Sequence, residues 1–381
     1  MNPVFDVAIV GAGINGCAAA HFLTRAGMRV ALLDREGIAK GGSGAAGAFI
    51  SPKISKSGPL KTVMDAAYDY SLAFYAREFP DHIRLAPQLH IAKFEDENEK
   101  VEYFIAHTSI PTAPVPAPVA ALLHDDVKGF RSVFLTRSGV VDAEPMCEAL
   151  AADARFFREE VAALKQSGGL WQVGSVRAKR VLLATGAYEK IVDEPYIRLR
   201  GVWGHRIDIR TSTKIDAIIH HRVSLAPTDE AGNSAIGATH NVHYHPQRNP
   251  EPYDYEAGRA ELIAKATGTV KLENIEVLRD FTGLRSGSND YMPLLGSVVD
   301  SGATLQAYPE LRKGAKLEGS AYVNHEGLYM INGTGGYGFV LGPYLAKQFA
   351  EYLTGGGTID PTLEPSRFFR RWVKQEAPSA R

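Results

Sequence analysis

The chain has 381 residues, 45% of them hydrophobic, with 42 basic and 43 acidic side chains and a formal net charge of -1. This length allows two domains, and the balanced charge excludes a general attraction to nucleic acid, although a local basic patch remains open. No apolar run reaches the length of a membrane-spanning helix. Two cysteines, Cys17 and Cys147, are too few for a disulfide framework. With no segment that reads as a signal peptide, we expect a cytoplasmic protein that binds no membrane.

The first tenth of the chain carries the pattern of a dinucleotide-binding site. It predicts a buried strand, a glycine turn, a crossover helix and a second parallel strand, over Phe5–Val10, Gly11–Gly16, Cys17–Ala26 and Arg29–Leu33. In this pattern the first glycine permits the turn, the second lets the backbone approach a pyrophosphate, and the third lets helix and strand pack closely. The helix N-terminus offers N–H groups to the phosphates. Asp34, at the end of the second strand, is placed to accept a hydrogen bond from a ribose hydroxyl.

Two later segments, Gly42–Gly47 and Gly333–Gly338, also match the spacing of the glycines. A second complete nucleotide site at Gly333–Gly338 would indicate a pyridine-nucleotide reductase. The chain instead continues through a helix into Thr354–Gly357, with no strand that ends in an acidic residue. Only the first match has the full context of strand, helix, strand and acid, so it is the predicted dinucleotide site.

The rest of the chain alternates between predicted strands, helices and loops, without an internal repeat. We predict helices over Pro59–Arg77, Tyr255–Ala266 and Pro343–Leu353, strands over Val176–Gly186, Gly201–Arg210, Ala235–Thr239 and Leu328–Gly333, and a proline-rich loop over Pro111–Pro118. Both cysteines fall in predicted helices.

The chain resembles the FAD-dependent D-amino-acid oxidase and glycine oxidase family in four features taken together. They are the N-terminal fingerprint, the small residues around 41–50, the strand that ends Ala184-Thr-Gly186, and the glycine-rich turn before the last helix. The resemblance implies an α/β fold: an FAD-binding Rossmann-like domain of the glutathione-reductase type, with a second, mostly antiparallel-sheet substrate domain. The expected FAD domain comprises residues 1–80, 140–200 and 286–381, and the expected substrate domain comprises 81–139 and 201–285.

The resemblance also implies which residues hold FAD. In the family, the residue that matches Val161 meets the adenine through its backbone, and the last helix, here near Leu341–Tyr344, points its N-terminus at the flavin pyrimidine edge, where the positive end of a helix dipole stabilises an anionic reduced flavin. The expected cofactor-binding residues are Gly11, Ala12, Gly13, Ile14, Asn15, Gly16, Asp34, Arg35, Gly42, Ser43, Ala45, Ala46, Gly47, Val161, Ala184, Thr185, Gly186, Gly335, Gly336, Tyr337, Gly338 and Phe339.

Within that family, three stretches look most like the oxidase half of the MnmC enzymes, which modify the wobble uridine of bacterial tRNA. The stretches are Gly47–Lys56 with Pro59-Leu60, Gly129–Leu150, and Gly283–Gly296. This implies an oxidase that cleaves the C–N bond of an N-substituted glycine on tRNA, with a separate methyltransferase partner. A small-molecule oxidase of glycine, sarcosine or a D-amino acid stays open, as does a flavin-containing subunit or tRNA-binding module without turnover.

Three residues are expected to serve the chemistry. Arg285 matches the family arginine that anchors the substrate carboxylate, because a guanidinium fork holds a carboxylate at two points; a structural salt bridge is the alternative. His240 matches a position that lines the substrate pocket, although an ordinary loop histidine, or a metal site with His243 and His245, must be weighed; we expect no metal. Tyr337 is a candidate for the pocket wall.

Several other side chains are candidates for the rim of the site. Tyr253 and Tyr255 lie in a proline-flanked loop that would serve as a lid, or would simply be anchored there by partial burial. Lys53 and Lys56 would approach the substrate or its phosphates, or would point into solvent.

Overall fold

The computed structural model describes residues 3–188, 190–318 and 321–376. The strands, in chain order, are β1 (Val4–Val10), β2 (Val30–Asp34), β3 (Phe49–Ile50), β4 (Ile83–Ile91), β5 (Thr112–Ala113), β6 (Ser132–Val141), β7 (Arg155–Arg158), β8 (Leu164–Ser167), β9 (Leu170–Val173), β10 (Val176–Leu183), β11 (Leu199–Arg210), β12 (Ile218–His220), β13 (Ser224–Leu225), β14 (Asn233–Gly237), β15 (Glu276–Ser288), β16 (Leu294–Val299) and β17 (Asn324–Asn332). The helices are α1 (Ile14–Arg25), α2 (Pro59–Glu78), α3 (Asn98–His107), α4 (Ala117–Leu122), α5 (Asp125–Lys128), α6 (Ala143–Ala151), α7 (Tyr255–Thr267), α8 (Ser301–Ala307), α9 (Gly338–Leu353) and α10 (Ser366–Glu376).

The first sheet has a parallel centre. Its main order is β16-β17-β10-β1-β2-β7, with β9 on β10 and β8 on β9. The pairs from β17 to β7 are parallel, and β16 and β9 add antiparallel neighbours. Strands with helices on their faces are buried and apolar, which matches the fully buried Val7, Ile9 and Leu32. The carboxyl ends of β1, β2, β10 and β17 therefore meet at one edge.

The second sheet is almost entirely antiparallel, in the order β15-β11-β14-β13-β12-β4-β6-β3, with β5 on β6. Among the strands of the described ranges, β12 pairs with β4 in parallel. Strand β3, at Phe49–Ile50, pairs with β6, so a short piece of the segment that follows the fingerprint belongs to this sheet. The two-sheet α/β architecture confirms the fold expected from the sequence.

Helices α1 and α9 pack closely, and glycines of α9 allow this contact. A Cβ on Gly338 would lie 2.9 Å from Ile14 Cγ2, and one on Gly342 would lie 3.2 Å from Ile14 Cγ1. Larger side chains at these two positions would push the helices apart. The contact brings the N-termini of α1 and α9 next to each other, at the edge where the parallel strands end.

The last of the predicted helices begins five residues earlier than expected, at Gly338, so Pro343 lies inside it rather than at its start. Proline lacks the N–H that would bond the carbonyl of Phe339. The Tyr75 hydroxyl, from α2, donates to that carbonyl at 3.0 Å, and the Ser71 hydroxyl donates to the carbonyl of Val340 at 2.7 Å. Side chains distant in sequence therefore make the proline acceptable, which a local pattern does not reveal.

Smaller differences concern element ends. Helix α1 begins at Ile14 instead of Cys17, and β14 covers Asn233–Gly237 instead of Ala235–Thr239. The segment Pro111–Pro118, predicted as a loop, contains strand β5 and the first two residues of α4. The helix tolerates Pro118 because an N–H in its first turn would have no partner within the helix. Both cysteines are buried in helices and unbridged, and burial raises the pKa of Cys17. No helix in the described ranges is long and apolar enough to cross a membrane.

Replacing Tyr75 with Phe should test the support of α9. The substitution keeps the ring but leaves the buried Phe339 carbonyl without a donor, so we expect the free energy of unfolding to fall by about 1–3 kcal/mol. Chemical denaturation measures this change. Tyr70→Phe is the matched control, since no hydrogen bond of the Tyr70 hydroxyl is found within the described residues; equal effects of the two substitutions would contradict the interpretation.

Candidate active site

One cavity of about 550 Å³ runs from the carboxyl edge of the parallel strands to the face of the second sheet. This is the place where open α/β sheets bind ligands. Of the expected cofactor residues, those that line it are Gly11, Gly13, Ile14, Asn15, Asp34, Gly42, Ser43, Ala45, Ala46, Gly47, Ala184, Thr185, Gly186, Gly335, Gly336, Tyr337, Gly338 and Phe339. Segments far apart in sequence thus meet around one volume.

The fingerprint turn is as tight as the glycine pattern requires. Gly11 has φ of 107° and lies so close to the carbonyl of Ala184 that a Cβ would overlap it, while a Cβ on Gly13 would lie 2.9 Å from Ser43 Oγ. The Ser43 hydroxyl accepts the Ile14 N–H at 2.9 Å. Asp34 accepts the Ala12 N–H at 2.9 Å through one carboxylate oxygen and the Glu36 N–H at 2.9 Å through the other. Asp34 therefore also holds the turn together, besides facing the cavity.

Four of the expected cofactor residues do not line the cavity: Ala12, Gly16, Arg35 and Val161. Ala12 is fully buried, and Gly16 packs against the carbonyl of Gly11. Arg35 lies 6.0 Å from the ring of Tyr188, which does line the cavity. Val161 is buried in an apolar cluster beside the first sheet. The other eighteen expected cofactor residues are therefore the ones that line the cavity.

The residues present fit a bound FAD. Helices α1 and α9 both direct their N-termini at the cavity, and neither has an acidic residue in its own first turn that would offset the positive end of its dipole. Such ends bind phosphates and other anions. Apart from the adjacent residues of the turn, no atom of the described residues lies within 4 Å of a Cβ placed on Gly335 or Gly336, so the turn before α9 leaves open space beside the cavity.

Arg285 lies in the cavity wall, where its contacts with the described residues are neutral. Its Nη2 donates to the carbonyl of Thr239 at 2.6 Å, and a Cβ on Gly204 would overlap its guanidinium. Within the described ranges no carboxylate forms an ion pair with it, which removes the salt-bridge alternative there, and burial lowers its pKa. A buried cation that lacks a counter-charge is costly. The arrangement is suited to an anionic ligand.

The structure does not place His240 in the cavity wall. Its side chain is exposed, although Arg285 is close enough to add to burial in lowering its pKa. The neighbouring residues explain this: Thr239 is buried and Asn241 forms a two-way backbone bridge with Trp203, so alternation along the extended chain turns His240 outward. His240 is therefore not among the residues that line the cavity in this structure, and its role in the pocket stays a prediction.

The lid tyrosines are anchored beside the site. Tyr253 contacts the buried His205, with its hydroxyl 3.4 Å from His205 Nδ1, and the Tyr255 hydroxyl lies 3.2 Å from Thr282 Oγ1. Neither lines the cavity, so the anchor interpretation fits. In the described part of the chain, the side chains close enough together to ligate one metal ion are Glu194, Asp300 and His325. The histidines at 240, 243 and 245 do not belong to this group.

The far end of the cavity contains side chains that the sequence analysis missed. They are two serines, two histidines and three basic residues: Ser51, Ser224, His90, His220, Lys93, Lys100 and Arg222. Lys53, which was a candidate, also lines it, with its Nζ 5.2 Å from the centre of the Tyr337 ring. Lys56 does not, since it pairs with Glu99 at 2.8 Å on the surface. One feature of the sequence could have pointed to these side chains: the apolar residues Ile218-Ile219 are followed directly by the polar run His220–Arg222.

Comparison with known proteins agrees with this site. A family model described as DAO, FAD dependent oxidoreductase, matches residues 6–352. The chain belongs to this family. It is therefore an FAD-dependent oxidoreductase, which confirms the expected family and cofactor. As expected, the chain is also similar to proteins called tRNA 5-methylaminomethyl-2-thiouridine biosynthesis bifunctional protein MnmC.

Two of these MnmC relatives illustrate the extent of the match. The protein from Leptospira interrogans is 26% identical over 97% of this chain and 61% of its own length. The protein from Shewanella amazonensis is 23% identical over 97% of this chain and 60% of its own. The chain thus spans about three fifths of the length of the curated relatives it matches.

Solved structures share the fold. Glycine oxidase from Bacillus cereus aligns with a TM-score of 0.72 at 20% identity, covering 93% of this chain and 96% of that one. Iminodiacetate oxidase from Chelativorans sp. aligns with a TM-score of 0.72 at 17% identity, covering 94% and 98%. At these identities the likeness establishes the two-sheet flavoenzyme fold.

Replacing Gly13 with Leu should abolish flavin binding. The new side chain would collide with Ser43 and fill the space through which the backbone approaches a pyrophosphate. We expect folded protein without flavin absorbance, checked by visible spectroscopy and circular dichroism. Gly129→Leu, at a position whose Cβ would meet only the Asp126 carbonyl at 4.0 Å, should stay yellow; a yellow Gly13→Leu protein would place the flavin elsewhere.

Proposed function

We propose that the protein cleaves the C–N bond of an N-substituted glycine. The proposed substrate is the carboxymethylaminomethyl group of a tRNA wobble uridine, which would yield the aminomethyl nucleoside and glyoxylate. The observation that carries the proposal is the half-buried Arg285 guanidinium, which lines the cavity and has no carboxylate partner among the described residues. It supplies the charge and the hydrogen-bonding fork that a glycine carboxylate requires.

Arg285 would act by positioning the substrate. Its bond to the Thr239 carbonyl fixes one Nη, and the bare Cα of Gly204 beneath it leaves no side chain to deflect it. A carboxylate held at two points keeps the adjacent C–H bond in one orientation, and orientation is a large part of catalysis when the cofactor does the chemistry. Bound FAD supplies the two-electron acceptor.

Tyr337 and the pyrimidine-side turn would form the opposite wall. Tyr337 caps the N-terminus of α9, lines the cavity and is 36% exposed, so part of its ring remains available for contact. We assign it to substrate contact and the Gly335–Phe339 turn to cofactor binding. His240, which is exposed, has no part in this proposal.

A tRNA substrate is supported by the basic side chains in the cavity wall. Lys53, Lys93 and Arg222 line the cavity, and the described ranges contain no ion pair for any of them; Lys100 lies 3.6 Å from Glu97, which also lines the cavity. A local excess of positive charge on a chain of net charge -1 suits phosphates that flank a reacting nucleotide. The similarity to MnmC proteins points the same way, and the methyltransferase step would then require a separate partner.

An oxidase of free glycine, sarcosine or a D-amino acid is the second candidate. Two glycine oxidases share the fold with TM-scores of 0.72 and 0.73, and the same arginine anchor serves a free amino acid equally well. The basic side chains in the cavity wall distinguish the two candidate functions, because a small zwitterionic substrate does not need them.

Replacing Arg285 with Lys should lower kcat/KM by two to four decades while FAD is retained. A single ammonium cannot reproduce the two-point contact, and the loss of a buried charge partner costs about 3–5 kcal/mol. Stopped-flow flavin reduction measures the effect. Arg279→Lys, an exposed arginine on the same strand, is the control. Activity of Arg285→Lys within threefold of the wild type would contradict the anchor role, whereas no flavin reduction by the wild type with any of these amines would favour a subunit without turnover of its own.

The tRNA proposal predicts that modified tRNA reduces the flavin anaerobically and releases glyoxylate. The rate should fall with added salt, because phosphate contacts are screened. The double variant Lys93→Glu/Arg222→Glu should weaken turnover of tRNA more than tenfold, because each cation that no longer meets a phosphate costs about 1 kcal/mol. Lys56→Glu, whose lysine pairs with Glu99, should not have this effect. Rapid reduction by glycine with none by modified tRNA would select the small-molecule oxidase.

A further inference from the structure

A hydrogen-bonded relay of Ser51, His220 and Ser224 lies in the cavity wall and has no part in the chemistry proposed above. Ser51 Oγ lies 3.0 Å from His220 Nε2, and Ser224 Oγ lies 2.6 Å from His220 Nδ1. All three residues line the cavity. Ser51 directly follows β3, His220 ends β12 and Ser224 begins β13, so only the folded sheet brings the three side chains together.

The relay is uncharged, and its hydrogen bonds leave a defined capacity for a ligand. Burial lowers the pKa of His220 to about 3, with His90 and Lys93 contributing, so the ring is neutral at physiological pH. A neutral imidazole donates through one nitrogen and accepts through the other. The serine that accepts from the ring keeps its own O–H free, and the serine that donates to the ring keeps its lone pairs free. Ser51 and Ser224 together therefore present one hydrogen-bond donor and one acceptor to the cavity.

The register of the second sheet gives the position of the relay relative to Arg285. Gly237 on β14 pairs with Ser224 on β13, Ser224 pairs with His220 on β12, and His220 pairs with His90 on β4. Residues directly opposite in neighbouring strands share a face. The Arg285 guanidinium reaches the Thr239 carbonyl, just beyond the end of β14. Two strand spacings separate β14 from β12, or about 10 Å.

Ser224 on β13 is one strand spacing, about 5 Å, from β14, and His220 on β12 is two, so a substituent on the nitrogen of a glycine held by Arg285 can extend along the cavity wall towards the relay. The wall around the relay is aromatic: the rings of Phe49 and His90 lie 5.1 and 6.3 Å from the ring of His220. Burial lowers the pKa of His90 to about 4, which makes it a second neutral ring. Such a compartment suits an uncharged planar group rather than a second carboxylate.

From this geometry we infer that the Ser51–His220–Ser224 relay determines specificity by binding the edge of a pyrimidine base carried on the amine nitrogen. A pyrimidine edge offers adjacent donor and acceptor atoms, which match the one acceptor and one donor of the relay. The two tautomers of His220 exchange the roles of the serines, so the relay adapts to the order of donor and acceptor on the base. The inference rests on the proposed function and deepens it.

The test compares two substrates that share the glycine end: the nucleoside 5-carboxymethylaminomethyluridine and N-benzylglycine, whose ring has no hydrogen-bonding edge. The quantity to measure is kcat/KM for the nucleoside divided by kcat/KM for N-benzylglycine, from steady-state kinetics of the FAD-loaded enzymes. In Ser51→Ala and in Ser224→Ala this ratio should fall about three- to tenfold, which is the effect of removing one hydrogen bond. The change should appear in KM for the nucleoside and not in kcat.

Controls separate this role from a structural one. Ser234→Ala removes a buried hydroxyl on β14 that donates to the Ala226 carbonyl at 2.7 Å and does not line the cavity, so the ratio should not change. Ser224→Thr keeps a hydroxyl and should restore most of the ratio. If the serine variants lose kcat/KM equally for both substrates, or lose none, the inference is overturned. Turnover of the nucleoside by the wild type would in that case still uphold the proposed function. No nucleoside turnover by the wild-type enzyme would overturn both.

Discussion

The close packing of α1 against α9 is the constraint on which the rest of the site depends. Gly338 and Gly342 let α9 approach Ile14, and this approach places two helix N-termini at one edge of the parallel sheet. With no acidic residue in either first turn, both ends favour negative charge. The buried Tyr75 and Ser71 hydroxyls then hold the first turn of α9 where its proline removes a backbone bond. A flavoprotein cradle follows from this geometry.

The cavity wall offers several kinds of charge, and each suits a different chemical group. The helix ends provide partial positive charge for phosphates, Arg285 provides one full charge for a carboxylate, and the Ser51–His220–Ser224 relay provides neutral hydrogen bonds. Lys53, Lys93 and Arg222 add further positive charge to the wall. This combination of environments fits an N-substituted glycine attached to a larger, phosphate-bearing molecule.

Some residues have different roles from those expected because local patterns do not report contacts. Asp34 was expected to bind ribose and does face the cavity, yet its oxygens also accept three backbone N–H groups, from Ala12, Glu36 and Gly37. Lys56 looked equivalent to Lys53, but Glu99 on α3 pairs with it, and of the two lysines only Lys53 lines the cavity. His240 looked like a pocket residue, but the alternation next to Thr239 turns it outward.

The amino-acid sequence by itself determined the dinucleotide fold, the family and Arg285 as the candidate anchor, because these depend on residues close together in the chain or on motifs with fixed spacing. The glycine turn, its flanking strands and the helix after it are local features, and the structure reproduces them within a few residues. Only the tertiary structure decided the far end of the cavity. Ser51, His90, His220 and Ser224 lie on or directly after four separate strands, and their meeting depends on strand order and register, which no local pattern of residues encodes.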